Sequence, residues 1–196
     1  MKKLSFVLLF LIALTTACST SDDTNYVPVV SSFEVSDLIT IPEASETYNV
    51  DDTLFIELNV PVSLVADNGT PIKLDSLVPD ARFSEIFLFR YEEDDIERKS
   101  PIPFTNTDVF VSEGQGRLAA EGVVLTAVKE EDTYKLRAGI KLKTAGSYFL
   151  APYNQSTTDS FYAILQDSRT LDIVELKTTI AGQTPSNRFS YEVVSQ

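Results

Sequence analysis

Apolar and polar residues alternate with a period of two along much of this chain. In residues 53–60, Leu54, Ile56 and Leu58 fall on one face of an extended segment, whereas Glu57 and Asn59 fall on the other. Residues 134–142 alternate in the same way. Because neighbouring side chains of a β-strand point to opposite faces, this pattern predicts strands with one face in a core and one in water.

Further alternating or β-branched segments predict eight more strands. Asp67-Asn68-Gly69 lies between two such runs, and Asn-Gly supplies the positive φ angles of a tight hairpin. No helical pattern of ten residues competes with these segments. Many short strands separated by turns favour an all-β, antiparallel β-sandwich. The eight additional predicted strands are residues 31–40, 84–91, 107–112, 122–128, 147–151, 161–166, 171–179 and 188–194.

The N-terminus has the pattern of a secretory signal. Lys2 and Lys3 precede the apolar residues 4–14, and small residues follow as far as Cys18. A transmembrane helix needs about 20 apolar residues, and this run has about half that number. We therefore predict a signal peptide at residues 1–17, which takes no part in the fold.

The segment Leu14-Thr15-Thr16-Ala17-Cys18 resembles a bacterial lipobox, and the polar, acidic residues after it resemble the tethers of Bacteroidetes surface lipoproteins. The resemblance implies that Cys18 is lipidated and anchors the chain to the outer membrane, facing outward. Cys18 is also the sole cysteine, so it cannot form an internal disulfide. An ordinary secreted protein is the alternative. We predict a lipidated, flexible tether at residues 18–30 and a single domain at 31–196.

Charge narrows the partners of this domain. The formal net charge is −13, and loss of Lys2 and Lys3 with the signal peptide makes it more negative. No Lys or Arg occurs between Leu4 and Ile72. A nucleic-acid partner is therefore excluded, and an acidic N-terminal segment should hold the domain away from anionic headgroups.

One segment resembles a specific corner of immunoglobulin-like domains. In Lys143-Thr144-Ala145-Gly146-Ser147-Tyr148, a glycine precedes a tyrosine by two places after a predicted strand. In that family, the tyrosine hydroxyl bonds the backbone of the preceding turn where the chain crosses between sheets. The resemblance implies an immunoglobulin-like sandwich with Tyr148 in this role. A plain hairpin with a cross-strand tyrosine is the alternative.

Candidate chemistry is limited by composition. The chain has no histidine, and its one cysteine is Cys18, which excludes the usual zinc sites, Ser-His-Asp catalysis and Cys-His catalysis. No cofactor is predicted apart from a weak calcium site, because calcium binds clustered carboxylate oxygens. An ordinary solvated loop is the alternative for this cluster. The candidate ligands are Glu92, Glu93, Asp94 and Asp95.

Two tyrosines offer faces for a ligand. Tyr153 and Tyr162 flank the polar residues 154–160, and aromatic rings in such positions stack on sugars. The alternative is that they finish strands at the sandwich edge. The sequence therefore predicts a non-catalytic envelope lipoprotein that displays a binding or scaffold module to an envelope protein or a glycan. Two further hypotheses stay open, namely a carbohydrate-binding accessory lipoprotein and a hydrolase that uses paired carboxylates.

Overall fold

The computed structural model describes residues 26–93, 101–152, 160–183 and 187–195. Within these ranges the chain forms fifteen strands and one short helix, α1 (Leu74–Leu77). No helix in these ranges is long and apolar enough to cross a membrane. The strands are β1 (Val30–Glu34), β2 (Ile39–Thr40), β3 (Thr47–Asn49), β4 (Thr53–Pro61), β5 (Ser63–Val65), β6 (Pro71–Lys73), β7 (Phe83–Glu92), β8 (Val109–Glu113), β9 (Gln115–Leu118), β10 (Val123–Glu130), β11 (Thr133–Lys141), β12 (Gly146–Ala151), β13 (Phe161–Gln166), β14 (Ile173–Thr178) and β15 (Phe189–Val194).

The two most regular predicted strands pair with each other. β4 and β11 run antiparallel in continuous register, from Thr133 opposite Pro61 to Lys141 opposite Thr53. Their alternation is the one expected from the sequence, because every second residue is buried. The predicted strands at these positions are therefore confirmed. The buried residues are Leu54, Ile56, Leu58 and Val60 on β4, and Tyr134, Leu136, Ala138 and Ile140 on β11.

Hydrogen bonds join most strands in the order β1-β14-β13-β7-β10-β11-β4-β2. Both ends of this path belong to the same N-terminal segment, since β1 pairs with β14 and β2 pairs with β4. Ile39 also forms a parallel bridge with Ile180, just beyond β14. The sheet therefore curves back on itself around one large apolar core. The result is a β-sandwich-like, all-β fold, as predicted.

Strand β7 connects the two parts of the sandwich. Its first half pairs with β10 and β13, and its last residues pair with β12, which continues to β15 and β3. Burial changes at the same point: Ile86 and Leu88 face the main core, whereas Phe89 and Tyr91 form a second cluster with β12. Long strands that serve two sheets are how a sandwich turns its corners.

The structure differs from the sequence prediction in pairing direction and in several short elements. Two pairs, β1 with β14 and β3 with β15, are parallel within an otherwise antiparallel fold. Parallel partners need a long connection, and these strands are joined through most of the chain, so no local pattern marks them. The predicted strand at 31–40 is interrupted by a turn in which Asp37 has a φ of 63°. Two short strands, β3 and β9, were not predicted, and β5 and β6 were expected only as the two arms of the hairpin at Asn68-Gly69.

The predicted hairpin around Asn68-Gly69 is present between β5 and β6. Only Gly69 has a positive φ, of 87°, so the turn differs from the two-residue form expected for Asn-Gly. Asn68 instead accepts a hydrogen bond from the Thr70 amide at 3.0 Å through its side chain. The three-residue turn leaves Ala66 and Thr70 as the closing pair.

The predicted tether at residues 18–30 extends too far into the chain. Asp172 accepts hydrogen bonds from the Tyr26 hydroxyl and from the Val29 amide, the latter at 2.7 Å. Val30 is already the first residue of β1. Residues 26–30 therefore belong to the domain, because this carboxylate and the β14 backbone satisfy their polar groups. Residues 1–25, with the predicted signal peptide and Cys18, lie outside the described residues.

Candidate functional site

A cleft of about 520 Å³ opens at one end of the sandwich. One wall comes from the ends of β7, β12 and β15, and the other comes from the segment before β8 and from the connection between β11 and β12. Together they form a concave surface with both aromatic and charged groups. The lining residues are Arg90, Glu92, Ile102, Thr105, Thr107, Asp108, Leu142, Lys143, Thr144, Tyr148, Tyr191 and Val193.

Strand register places the polar groups of the first wall side by side. In the antiparallel ladders, Tyr148 lies opposite both Glu92 and Tyr191, and Leu150 lies opposite Arg90. Arg90 follows Ile86 and Leu88 at a spacing of two, so it continues the core-facing side of β7. It is the residue at which that apolar face ends and the cleft begins.

Arg90 is held by aromatic rings and by one carbonyl group. Its guanidinium carbon lies 4.9 Å from the ring centre of Phe104 and 5.9 Å from that of Tyr148. One terminal nitrogen donates to the Pro103 carbonyl oxygen at 3.2 Å. These cation–π contacts fix the plane of the group. The Nε atom is buried, and no described residue accepts a hydrogen bond from it.

Tyr191 lies beside Arg90 and is 4% exposed. Its ring stacks on Phe189 with centres 5.9 Å apart, and Tyr48 approaches it edge-on at 6.0 Å. The hydroxyl is buried and has no hydrogen-bond partner within the described ranges. Burial raises the pKa of Tyr191 far above its usual value, and the charge of Arg90 offsets only part of this effect. The hydroxyl is therefore protonated at neutral pH.

The other wall of the cleft carries a direct ion pair between Lys143 and Asp108. Lys143 Nζ lies 2.7 Å from a carboxylate oxygen of Asp108, which is 5% exposed. The other carboxylate oxygen accepts the Thr105 amide hydrogen at 2.8 Å. Burial pushes the pKa of Asp108 upward, but the hydrogen bonds from Lys143 and Thr105 outweigh it and leave the pKa below its usual value. Asp108 therefore stays ionised and its charge is compensated.

Tyr148 lies in this cleft and also touches the preceding turn. Its hydroxyl is 3.4 Å from the Ala145 carbonyl oxygen, which it approaches as donor. Gly146 has a φ of 152°, and a Cβ there would lie 2.9 Å from the hydroxyl. The glycine therefore makes room for the tyrosine hydroxyl.

Two of the four predicted calcium ligands, Glu92 and Glu93, lie among the described residues. Glu92 lines the cleft, whereas Glu93 accepts a 3.2 Å hydrogen bond from Arg188 and lines a different depression. Asp94 and Asp95 lie outside the described residues. Among the residues that are described, no three His, Cys, Asp or Glu side chains are grouped to hold a metal ion.

The predicted sugar-stacking pair is placed only in part. Tyr162 lies on β13 and is 42% exposed, opposite Lys177 of β14, away from the cleft. Tyr153 lies outside the described residues.

Sequence reasoning missed Arg90 and Tyr191. A signal for the first did exist, because Arg90 interrupts the apolar run from Phe87 to Tyr91 at a core-facing position.

Comparison with known proteins gives one match, among the solved structures. No protein-family model and no curated protein matches the chain. Among solved structures, the chain is similar to the crystal structure of the human F-spondin reeler domain, with a TM-score of 0.40 and 10% sequence identity. The similarity covers 85% of this chain and 95% of that one. Likeness at this level does not extend to function.

Proposed function

We propose that this protein is an outer-membrane lipoprotein that displays a non-catalytic β-sandwich as a binding module on the cell surface. The observation that carries the proposal is the position of Cys18. It is the sole cysteine, it follows a lipobox-like segment, and only residues 19–25 separate it from the first described residue of the domain. Fully extended, those residues span at most about 25 Å, which keeps the domain close to the bilayer.

The architecture supports a binding role rather than catalysis. The strands provide a rigid scaffold, and the cleft lies at one end of it, where loops can carry recognition groups. Its buried carboxylate, Asp108, is engaged by Lys143 and by the Thr105 amide, so its oxygens are occupied. A general base needs a lone pair directed at the substrate. Asp108 is therefore better suited to shaping the cleft than to proton transfer.

Metabolic labelling tests the anchor. Cells that express the full chain are fed radiolabelled palmitate, and the protein is then partitioned between the detergent and aqueous phases. We expect the wild-type protein to be labelled and to enter the detergent phase, because two or more acyl chains make anchoring stable. The variant Cys18→Ala should be unlabelled, whereas the matched variant Ser19→Ala should behave like the wild type.

An unlabelled wild-type protein in the aqueous phase would refute the anchor. Protease treatment of intact cells tests its orientation separately. A surface-displayed domain should be degraded without lysis, while a domain on the inner leaflet should survive until the outer membrane is opened.

A further inference from the structure

Two residues that line the cleft carry a buried hydrogen-bond donor for which the described part of the chain supplies no partner. The donors are the Nε–H of Arg90, on β7, and the hydroxyl of Tyr191, on β15. Nearly all buried polar groups in folded proteins are hydrogen-bonded, so each exception calls for an acceptor. Both residues line the same cleft from different strands, and they are near enough for the charge of Arg90 to act on the Tyr191 hydroxyl.

We propose that this cleft binds a small organic ligand through its carboxylate, which accepts hydrogen bonds from Arg90 and Tyr191. The inference deepens the proposed binding role and is independent of the lipid anchor. Arg90 makes no ion pair with a carboxylate among the described residues, so its charge is free to attract an anion. A carboxylate also matches the donor geometry of a guanidinium group.

The opposite wall argues for an organic acid instead of a bare anion. Lys143 is neutralised by Asp108, which leaves Arg90 as the cation of the described lining that has no ion pair, and the exposed Glu92 lines the same cleft. A multiply charged anion would be repelled by these carboxylates. Phe104 and Tyr148 both lie against the guanidinium, but only Tyr148 lines the cleft, where its ring provides apolar surface for the body of a ligand.

The polar rim suits a ligand that carries hydroxyl groups. Thr105, Thr107 and Thr144 also line the cleft. A volume of about 520 Å³ lies within the range of small-molecule sites and accommodates a single sugar ring. An acidic monosaccharide combines a carboxylate, a ring that stacks on aromatic groups and several hydroxyls. Glucuronate is therefore the probe, and glucose is its neutral counterpart with the same ring.

The test is an NMR titration of the full-length protein in detergent micelles, with the arginine Nε–H signals observed directly. We expect glucuronate to shift the Arg90 signal saturably and glucose to leave it in place. A further arm uses methyl glucuronate ester, in which the ring is retained and the carboxylate charge is removed. Binding of the ester as strong as that of glucuronate would overturn the assignment of the carboxylate.

Variants separate the proposed contacts from general effects. Arg90→Lys keeps the charge but removes the Nε–H donor, and binding followed through backbone amide signals should weaken at least about tenfold. Tyr191→Phe keeps the ring and removes the hydroxyl, and should weaken binding several-fold. Both variants are checked for native backbone spectra, so that lost binding is not mistaken for lost structure.

Arg188→Lys is the matched control. Arg188 also has a buried Nε without a hydrogen-bond partner among the described residues, and its guanidinium carbon lies 5.2 Å from the Phe149 ring centre. It pairs with Glu93 and lines the other depression, which Tyr191 borders from its second side but Arg90 does not reach. We expect this variant to bind glucuronate like the wild type. Loss of binding in Arg188→Lys but not in Arg90→Lys would place the ligand elsewhere and refute the proposal. Absence of any saturable shift up to about 10 mM glucuronate would refute it as well.

Discussion

The same substitution, tyrosine to phenylalanine, should change stability in opposite directions at two buried positions. Tyr134 is fully buried on β11, and its hydroxyl donates to the Ala81 carbonyl oxygen at 3.0 Å. Tyr191 is almost as deeply buried on β15, but its hydroxyl has no hydrogen-bond partner. Both changes remove one oxygen atom and keep the ring. Any difference between them therefore reports the state of the hydroxyl.

The magnitudes follow from the hydrogen bonding. Tyr134→Phe breaks a bond and leaves the buried carbonyl of Ala81 without this partner, which should lower the free energy of unfolding by about 1 to 3 kcal/mol. Tyr191→Phe removes a group that was desolvated without compensation, which should raise it by about 1 kcal/mol. The two variants should therefore differ by about 2 to 4 kcal/mol.

Urea unfolding followed by far-ultraviolet circular dichroism measures this difference. With slopes of about 2 kcal/mol per molar urea, the midpoints of the two variants should lie about 1 to 2 M apart, on either side of the wild type. Equal midpoints would show that water already satisfies Tyr191. A Tyr191→Phe variant that is less stable than Tyr134→Phe would refute the hydrogen-bonding argument itself.

Stability at alkaline pH provides an independent check that the Tyr134 hydroxyl is buried. Burial raises its pKa from 10.0 to about 12. The folded state therefore favours the protonated hydroxyl. The stability that this pKa shift contributes is complete below pH 10 and is lost as pH rises towards 12. The loss is about 3 kcal/mol for this group. Tyr134→Phe should therefore lose less stability than the wild type between pH 10 and pH 12, with both measured by urea unfolding.

Two further predictions concern backbone strain and acid stability. Gly69 and Gly114 both have a φ of 87°, but a Cβ at Gly69 meets nothing within 4 Å, whereas one at Gly114 would lie 2.4 Å from the Thr126 carbonyl oxygen. Gly69→Ala should lower the free energy of unfolding by about 1 to 2 kcal/mol. Gly114→Ala should lower it by at least about 2 kcal/mol more, because of the added clash. Similar urea midpoints for the two variants would contradict this difference. Amide hydrogen bonds, led by that from Thr170, lower the pKa of Asp167 to about 2. The stability that ionised Asp167 contributes is present above pH 4 and is lost as pH falls towards 2. In a series of urea midpoints measured against pH, Asp167→Asn should therefore lose less stability than the wild type on the acid side.

Local pattern predicted most of the large strands because their burial repeats every two residues. β4, β11 and β13 lie within one residue of their predicted bounds, since each buries one face continuously. The pattern failed where a strand is short or polar, as in β9, which is held by pairing with β10 rather than by its own burial. It also failed at residues 26–30, whose polar groups are satisfied by a residue near the other end of the chain.

In the candidate site, too, the sequence indicated only those residues that have a local signal. Tyr148 was found because a glycine two places before it is a local signal. Arg90 carried a weaker signal, as a charge within an apolar run. Tyr191 carried none, because it reads as an ordinary core residue in the alternation of β15. Whether its hydroxyl has a partner depends on neighbours that are remote in the sequence.

The sequence by itself determined the period of the strands, the acidic charge and the N-terminal features that predict export and lipidation. Each of these depends on neighbouring residues or on composition. Only the tertiary structure decided that β1 pairs in parallel with β14 and that β3 pairs in parallel with β15. It also decided that Arg90, Tyr191 and Asp108 line one cleft. The reason is physical: alternation fixes which face of a strand is buried, but it carries no information on which strand lies beside it. The partner, and therefore the chemistry of the cleft, is set by packing between distant segments.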